Sequence, residues 1–199
     1  MRKLSVLFLF MLGAGAIHAQ TTKNYTSGIK AGVNLANLKL TDQPDVSTSM
    51  RINFHAGIFY NVPLNSNFSI QPEILFSGEG AKFETSNSTS EITLNYLQVP
   101  VMFQFNTSSG FYLEAGPWLG IMAKGKEIVT TSAAESKLDL KKQYKKTNFG
   151  AAGGLGFKMK RAGIYARYNL GLADLAKTTT RPETKSQVIQ VGLSWSFKQ

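Results

Sequence analysis

The sequence contains no cysteine and only two histidines, His18 and His55. The absence of cysteine excludes a disulfide framework, a thiol nucleophile and a thiolate metal site. A single histidine beyond the N-terminal region leaves no ligand spacing for zinc. No Gly-x-Ser-x-Gly turn is present, so a serine nucleophile lacks its usual setting. We therefore predict a protein that is not an enzyme, with no catalytic residue, no metal site and no cofactor.

Long apolar runs are also absent, except for one at the N-terminus. Two basic residues precede an apolar stretch, residues 4–17, and Ala19 supplies the small residue that signal peptidase reads before the cut. The stretch is shorter than the roughly 20 residues of a helix that spans a bilayer. Residues 1–19 are therefore predicted to be a cleaved signal peptide, and residues 20–199 to form one domain.

The mature chain instead contains eight segments in which apolar and polar residues alternate, which is the period of a strand with one apolar face. These segments are residues 29–36, 52–62, 68–77, 96–105, 111–121, 148–158, 164–172 and 189–197. The connections between them are alternately long and short. The long connections are residues 39–50, 81–91, 124–146 and 173–185, and the short ones are residues 63–67, 106–110 and 160–162. An even number of strands with this asymmetry is typical of bacterial outer-membrane barrels.

Eight aromatic residues lie on the apolar faces of these strands, beside short connections or at the C-terminus. They are Tyr60, Phe68, Phe103, Phe105, Phe111, Phe157, Trp195 and Phe197. The short turns of an up-and-down barrel share one end, so these rings would form an outward-facing girdle there. Aromatic side chains are favoured at the membrane–water interface. The sequence thus predicts an all-β fold, an eight-stranded antiparallel up-and-down transmembrane β-barrel in the outer membrane of a Gram-negative cell.

The polar faces of the strands carry charged residues that would fill the barrel interior. We predict a lumen polar network formed by Glu73, Gln98, Glu114, Lys158 and Arg167. The interior of an eight-stranded barrel is about wide enough for side chains, and an unpaired charge buried there would be strongly unfavourable. Opposite charges are therefore expected to pair. The network is either a structural plug or a pathway for protons or ions, and the sequence leaves both open.

Three features depart from a regular barrel. Pro72 and Pro100 fall within predicted strands, where each removes a hydrogen-bond donor, so we expect a bulge or a lumen-facing position at each. Residues 133–146 combine Ala, Glu, Leu and Lys and could form a short helical excursion in the third long connection. The chain does not end on the aromatic Phe197, because two polar residues follow it.

Four segments resemble a known family. They are Gly57-Ile58-Phe59-Tyr60, Ser69-Ile70-Gln71-Pro72-Glu73, Tyr96-Leu97-Gln98-Val99-Pro100 and Leu113-Glu114-Ala115-Gly116-Pro117. They are similar to PorT-like outer-membrane β-barrel proteins, whose successive strands carry Gln-Pro-Glu, Tyr-Leu-x-x-Pro and Ala-Gly-Pro. The resemblance extends from Gly28 to Phe197. It implies a barrel fold, and the namesake of the family implies a part in protein secretion across the outer membrane.

Basic residues outnumber acidic ones, 22 to 12. Two of the basic residues belong to the predicted signal peptide, so the mature chain carries a net charge of 20 − 12 = +8. Seven lysines lie in the segment from Lys124 to Lys146. No helical recognition pattern or RNA-binding strand motif accompanies this charge, so we expect no nucleic-acid partner. Anionic lipopolysaccharide matches the basic segment better than nucleic acid does, but the preferred interpretation of the segment is a solvated, partly disordered loop.

Three functions are open to such a barrel. The first is a structural or interaction scaffold that presents four loops at the cell surface. The second is a narrow channel or a component of a secretion or transport assembly. The third is a soluble lipocalin-like carrier, which would turn the same apolar faces inward. The expected partners are outer-membrane lipid, lipopolysaccharide, the barrel-assembly machinery during biogenesis and, from the resemblance, secretion-system proteins.

Overall fold

The structure, a computed structural model, describes residues 25–40, 48–85, 88–131, 135–139, 144–175 and 184–197. The predicted signal peptide, residues 1–19, lies outside these ranges. Among the described residues, no helix is long and apolar enough to cross a membrane. The described strands are β1 (Thr26–Leu40), β2 (Thr48–Pro63), β3 (Phe68–Thr85), β4 (Ser88–Asn106), β5 (Phe111–Thr131), β6 (Glu135–Asp139), β7 (Thr147–Lys158), β8 (Ala162–Gly171) and β9 (Thr184–Ser196).

Eight of these strands close into a barrel. Strands that follow each other in the chain pair antiparallel, except that β5 pairs with β7 past the short strand β6. The last strand, β9, pairs with β1 along a ladder from Gly28↔Ser196 to Leu40↔Thr184, which closes the sheet. The predicted all-β, eight-stranded antiparallel up-and-down barrel is therefore confirmed.

The register of the strands sets the shape of the barrel. Ala36 of β1 is paired with Val188 of β9, and the register can be followed from there across each neighbouring strand until it returns to β1. It returns at Thr26, ten residues before Ala36. Such a stagger tilts the strands against the barrel axis. With eight strands, it leaves an interior that side chains can fill.

The two faces of the barrel differ in polarity. Along β8, buried and more exposed residues alternate without a break. Apolar side chains face outward, with Leu193 exposed by 64% and Phe54 by 59%, whereas Gln71, Gln98 and Gln190 are buried inside. A lipocalin-like carrier would show the opposite arrangement, so that alternative is wrong.

The two ends of the barrel also differ. We call the end that carries the turns at residues 64–67, 107–110 and 159–161 the short-turn end, and the opposite end the long-loop end. Gly110, in the second of these turns, has a φ of +94°. A Cβ added there would lie 2.4 Å from the carbonyl oxygen of Lys158. This turn therefore requires glycine.

Several strands are longer than the alternation predicted. Strand β3 continues to Thr85 and β4 begins at Ser88, so most of the predicted long connection 81–91 is paired backbone. The apolar alternation stops earlier because the sequence here is rich in Ser, Thr and Glu. Ladder hydrogen bonds continue past the apolar residues because they need no apolar face.

The third long connection contains a strand rather than the expected helical excursion. Strand β6 pairs with the end of β5, from Lys126↔Asp139 to Thr130↔Glu135. The helix expected over residues 133–146 is therefore wrong for residues 135–139 and 144–146. Residues 133–134 and 140–143 lie outside the described part of the chain. The open edge of β5 beyond the barrel accepts this short strand, which overrides the local helix preference of the segment.

Each proline is paired on one side and lies at a gap in the ladder on the other, without a bulge: Pro72 pairs with Val101 but has no partner on β2, and Pro100 pairs with Trp118 but has no partner on β3. The register between β3 and β4 is the same at Pro72↔Val101 and at Leu75↔Gln98, and the two residue pairs between them are not paired. Pro100 is buried in the lumen, which agrees with the lumen-facing position expected as one of the two explanations. The other explanation was a bulge at the prolines. The register shifts occur elsewhere, between Met50 and His55 on β2 and at residues 95–96 on β4.

Candidate functional site

A compact ionic cluster crosses the barrel interior. Arg167 donates from its two terminal nitrogens to Glu73 at 2.9 and 2.8 Å, and from Nε to Glu114 at 2.7 Å. Lys30 donates to the same Glu73 at 2.9 Å. At most 1% of any of these four side chains is exposed. Two cations and two carboxylates thus form a neutral group out of contact with solvent.

The closure of the barrel brings these four residues together. Strand β3, which carries Glu73, and strand β8, which carries Arg167, are four strands apart in either direction around the barrel. Strands β1 and β5, which carry Lys30 and Glu114, are related in the same way. The Glu73–Arg167 bridge therefore spans the full width of the lumen. Charge-assisted, bidentate geometry makes this the strongest class of side-chain contact.

Glutamines add a hydrogen bond to each carboxylate and extend the network toward the short-turn end. Gln71 donates to Glu73 at 2.8 Å, and Gln104 donates to Glu114 at 3.0 Å. Gln104 also accepts a hydrogen bond from Lys158 at 2.8 Å. Lys158 is therefore connected to Glu114 through this amide. Since each carboxylate has an amide partner as well as a cation, the buried charges are well compensated.

A second hydrogen-bonded group surrounds His55. The two ring nitrogens of His55 contact Asn34 Oδ1 at 2.6 Å and the Tyr165 hydroxyl. The amide of Asn34 in turn donates to Ser77 at 2.9 Å. The ring of Tyr165 lies 4.0 Å from the Lys30 ammonium, which links this group to the ionic cluster. Both nitrogens of the histidine are engaged by neutral groups.

Gln98 lies apart from the other predicted network residues. It donates at 2.6 Å to Glu79, a carboxylate that is only 1% exposed. Among the described residues, no cation forms an ion pair with Glu79. The sequence reasoning ended this strand at Ser77 and so missed Glu79. Extending the alternation by one step, past Gly78, would have found it.

Apolar residues close the lumen toward the long-loop end. We call this group the apolar cap, and every member is buried. Its members are Leu38, Ala81, Ile92, Leu94, Tyr96, Met122, Tyr144 and Leu175. A smaller apolar group lies nearer to the short-turn end and consists of Met102, Trp118 and Ala152. The described interior is therefore filled by ionic, polar and apolar side chains in turn.

Lys30 is the one member of the ionic cluster that was not predicted from the sequence. It alternates with Ile29 and Ala31 and so falls on the polar face of its strand. A charge count along the polar faces could have found it, because Glu73 and Glu114 require two cations and Arg167 supplies one. Lys158, which was predicted as a cation of the lumen network, instead lies near the short-turn end.

The eight residues of the predicted girdle lie on the outer face around the short-turn end. Seven of their side chains are exposed by 37 to 57%, and Tyr60 is half-buried. The Phe68 and Phe105 rings contact each other at a tilt of 57°, with centroids 5.3 Å apart. A second outward group, missed by the sequence reasoning, consists of Phe54, Phe76 and Phe149. Phe76 lies eight residues beyond Phe68 on β3, about 26 Å along the strand.

The described residues contain no group of three or more His, Cys, Asp or Glu side chains that could hold a metal ion. The ionic cluster has two carboxylates, and guanidinium and ammonium groups occupy their oxygens. What this arrangement can do chemically is to hold the barrel walls at a fixed separation. It also keeps charge away from the apolar outer face.

Comparison with known proteins supports the same fold. The chain is similar to the crystal structure of Ail, the attachment invasion locus protein of Yersinia pestis, with 16% identity, a TM-score of 0.55 and coverage of 86% of this chain and 98% of Ail. A structure of Ail in complex with the heparin analogue sucrose octasulfate gives 15% identity, a TM-score of 0.54 and coverage of 87% and 99%. Neisserial surface protein A gives 13% identity, a TM-score of 0.53 and coverage of 86% and 97%. The comparison with curated proteins finds no match.

These likenesses establish the architecture, and a family model extends the comparison to the sequence. The model describes an outer membrane protein beta-barrel domain and matches residues 18–177. The matched range covers most of the chain and includes the strands that carry the ionic cluster. Because the apolar face points outward and the sheet is closed, the family assignment and the structure agree. The chain therefore belongs to the outer membrane protein beta-barrel domain family.

Proposed function

We propose that this protein is a non-enzymatic, non-conducting barrel that acts as a structural or interaction scaffold and presents its four long loops at the cell surface. The observation that carries the proposal is the bridge between Glu73 and Arg167 across the lumen. Outer-membrane barrels place their short turns in the periplasm and their long loops outside. The long-loop end is therefore assigned to the cell surface.

The composition of the interior argues against the alternative of a narrow channel. An ion that crosses the lumen must pass the bridge between β3 and β8 and then the apolar cap. Opening the bridge leaves a buried charge without its partner, which typically costs about 3–5 kcal/mol. A structural plug needs no such opening.

The charge of the long-loop end supports a surface interaction. Lys124, Lys126, Lys145 and Lys146 are exposed there. Lysines attract anionic groups over about 8 Å at physiological salt. We propose lipopolysaccharide as the partner of this surface. The structure of Ail with a heparin analogue concerns that protein, and the proposal for this chain rests on its own lysines.

Two narrower assignments follow from the sequence. The motifs shared with PorT-like barrels support membership of that subgroup and a contact with secretion-system proteins. The outward apolar face supports insertion by the barrel-assembly machinery, because strands of this kind cannot remain in water. Neither assignment requires catalysis by the barrel.

Conductance in planar bilayers tests the scaffold proposal. Folded protein, identified by its changed gel migration before boiling, should give no regular current steps under conditions where a porin control conducts. The physical reason is the filled lumen. Steps of a fixed size from the folded wild-type protein would overturn the proposal and favour the narrow channel.

A further inference from the structure

A recess opens into the barrel at the short-turn end. It has a volume of about 200 Å³ and lies between β1, β9 and the turn that joins β7 to β8. Three lysines line it, Lys30, Lys158 and Lys160, and hydroxyl groups of Ser194 and Ser196 line it as well. None of its lining residues is acidic. The recess is therefore a concave surface with positive charge and polar hydrogen-bonding groups.

Lys158 is held at this recess by neutral groups only. Its ammonium donates to Gln104 Oε1 at 2.8 Å and to Asn106 Oδ1 at 2.7 Å. It also lies 4.8 Å from the centre of the Tyr112 ring. In the described part of the chain, no carboxylate forms an ion pair with it. An ammonium group has three donors, so one donor and the full charge remain for a ligand.

The other two lysines have different roles. Lys30 forms the inner wall of the recess, and Glu73 neutralises it at 2.9 Å. Lys160 lies in the exposed turn at residues 159–161, beside the mouth. The uncompensated charge of the recess therefore comes from Lys158 and Lys160. Two such cations close together repel each other unless an anion lies between them.

We propose that the recess binds a small oxyanion, a phosphate or carboxylate group, that reaches it from the periplasmic side. The volume is several times the roughly 30 Å³ that one water molecule occupies in the liquid, so a hydrated oxyanion fits. Lys158 and Lys160 supply charge, and the serine hydroxyls supply neutral donors. The direction of entry follows from the position of the short turns. The site does not depend on the proposed scaffold function.

Solution NMR of the folded, full-length protein in detergent micelles tests the site with inorganic phosphate. At constant ionic strength, the amide signals of Met159, Lys160, Ser194 and Ser196 should shift and saturate. Lys158→Gln should weaken the apparent affinity by about tenfold, the effect of losing one charged hydrogen bond. Lys158→Arg should largely retain binding.

Two further variants keep the test decisive. Lys160→Gln changes an exposed turn residue and should weaken binding without loss of folding. Lys39→Gln is the matched control, because Lys39 is exposed near the opposite end of β1 and does not line the recess. Shifts that do not saturate would overturn the proposal, as would unchanged affinity in Lys160→Gln and in folded Lys158→Gln.

The source of the oxyanion is tested separately. Acetyl-dialanine carries a C-terminal carboxylate, and its amidated form does not. Tighter binding of the free carboxylate than of phosphate would identify the end of a peptide chain as the natural source. Tighter binding of phosphate would identify a phosphate group. If the amidated peptide bound as tightly as the peptide with the free carboxylate, the proposal would be overturned, because charge would then play no part in binding.

Discussion

At the scale of single residues, one guanidinium group organises the barrel interior. Arg167 uses three donors on two carboxylates, whereas Lys30 uses its ammonium on Glu73 alone. The planar fork of an arginine suits two such contacts, and a lysine in the same place would not reproduce them. Arg167 is therefore the residue whose loss should affect the lumen most.

Charge balance predicts how substitutions in this cluster combine. Arg167→Gln leaves two carboxylates with one cation, and Glu114→Gln leaves two cations with one carboxylate. Each single change should lower the free energy of unfolding by about 3–5 kcal/mol. The double variant keeps the neutral Lys30–Glu73 pair and should recover part of the loss. Urea unfolding in detergent measures all three.

Arg161→Gln serves as the control for this cycle, since Arg161 is an exposed turn residue. It should change stability by less than about 0.5 kcal/mol. Strictly additive losses in the double variant would contradict the coupling between Glu114 and Arg167.

The sequence could predict which of these residues face inward, but it could not predict which of them meet. Strand parity alone places Glu73, Glu114 and Arg167 on the polar faces. Contacts across the lumen also depend on the stagger of the strands, because the stagger decides which residues share a height in the barrel. The pairing of Lys30 with Glu73 depends on this register, and no short-range pattern encodes it.

At the scale of strands, the alternation identifies the part of each strand that faces lipid. It correctly gave eight barrel strands and their order. It failed beyond the apolar band, at β6 and at the end of β3, because these segments are rich in polar residues and backbone pairing needs no apolar face. Hydrophobic patterning thus reports the membrane environment rather than the full length of a strand.

A charge on the lipid-facing side of β9 tests this interpretation. Leu193 is exposed by 64% on the outer face. Leu193→Arg should lower the free energy of unfolding in lipid by about 2–4 kcal/mol if the side chain lies near the bilayer midplane. The reason is the transfer of a charged group into hydrocarbon. Unfolding from lipid vesicles, with urea, measures the difference.

Leu64→Arg is the matched control, because Leu64 lies in the exposed turn at the short-turn end. A charge near the interface costs only about 0–1 kcal/mol. Equal effects of the two substitutions would show that Leu193 does not face hydrocarbon.

At the scale of the whole molecule, charge and apolar surface are separated. Apolar side chains form the outer wall, a neutral ionic cluster lies inside, and exposed lysines lie at both ends. The four charges of the ionic cluster are thus paired away from water, whereas the exposed lysines lie where water or anionic lipid can reach them. The exposed lysines at the two ends are therefore the charges that a partner could reach.

Retention of lipopolysaccharide tests the role of the long-loop end. Protein extracted from outer membranes in mild detergent should retain lipopolysaccharide, measured by its sugar and phosphate content. Lys124→Gln combined with Lys126→Gln should reduce the retained amount at least about twofold, because each lysine contributes charge near the surface. Raising the salt from 0.1 to 1 M, which shortens the screening length from about 10 to about 3 Å, should have the same effect.

The control for this measurement is Arg161→Gln, which removes one charge at the opposite end of the barrel. Its retention of lipopolysaccharide should equal that of the wild type. Retention that is insensitive to both salt and the paired lysine substitution would contradict the proposed role of this surface.

The ladder between β1 and β9 has a consequence for the order of events in biogenesis. It joins the first strand to the last, so one edge of β1 has no partner until the C-terminal residues have been synthesised and exported. An open edge of this kind can pair with other chains. The pairing of β9 with β1 is therefore the step that commits the polypeptide to the closed barrel. Every earlier stage must be protected from aggregation.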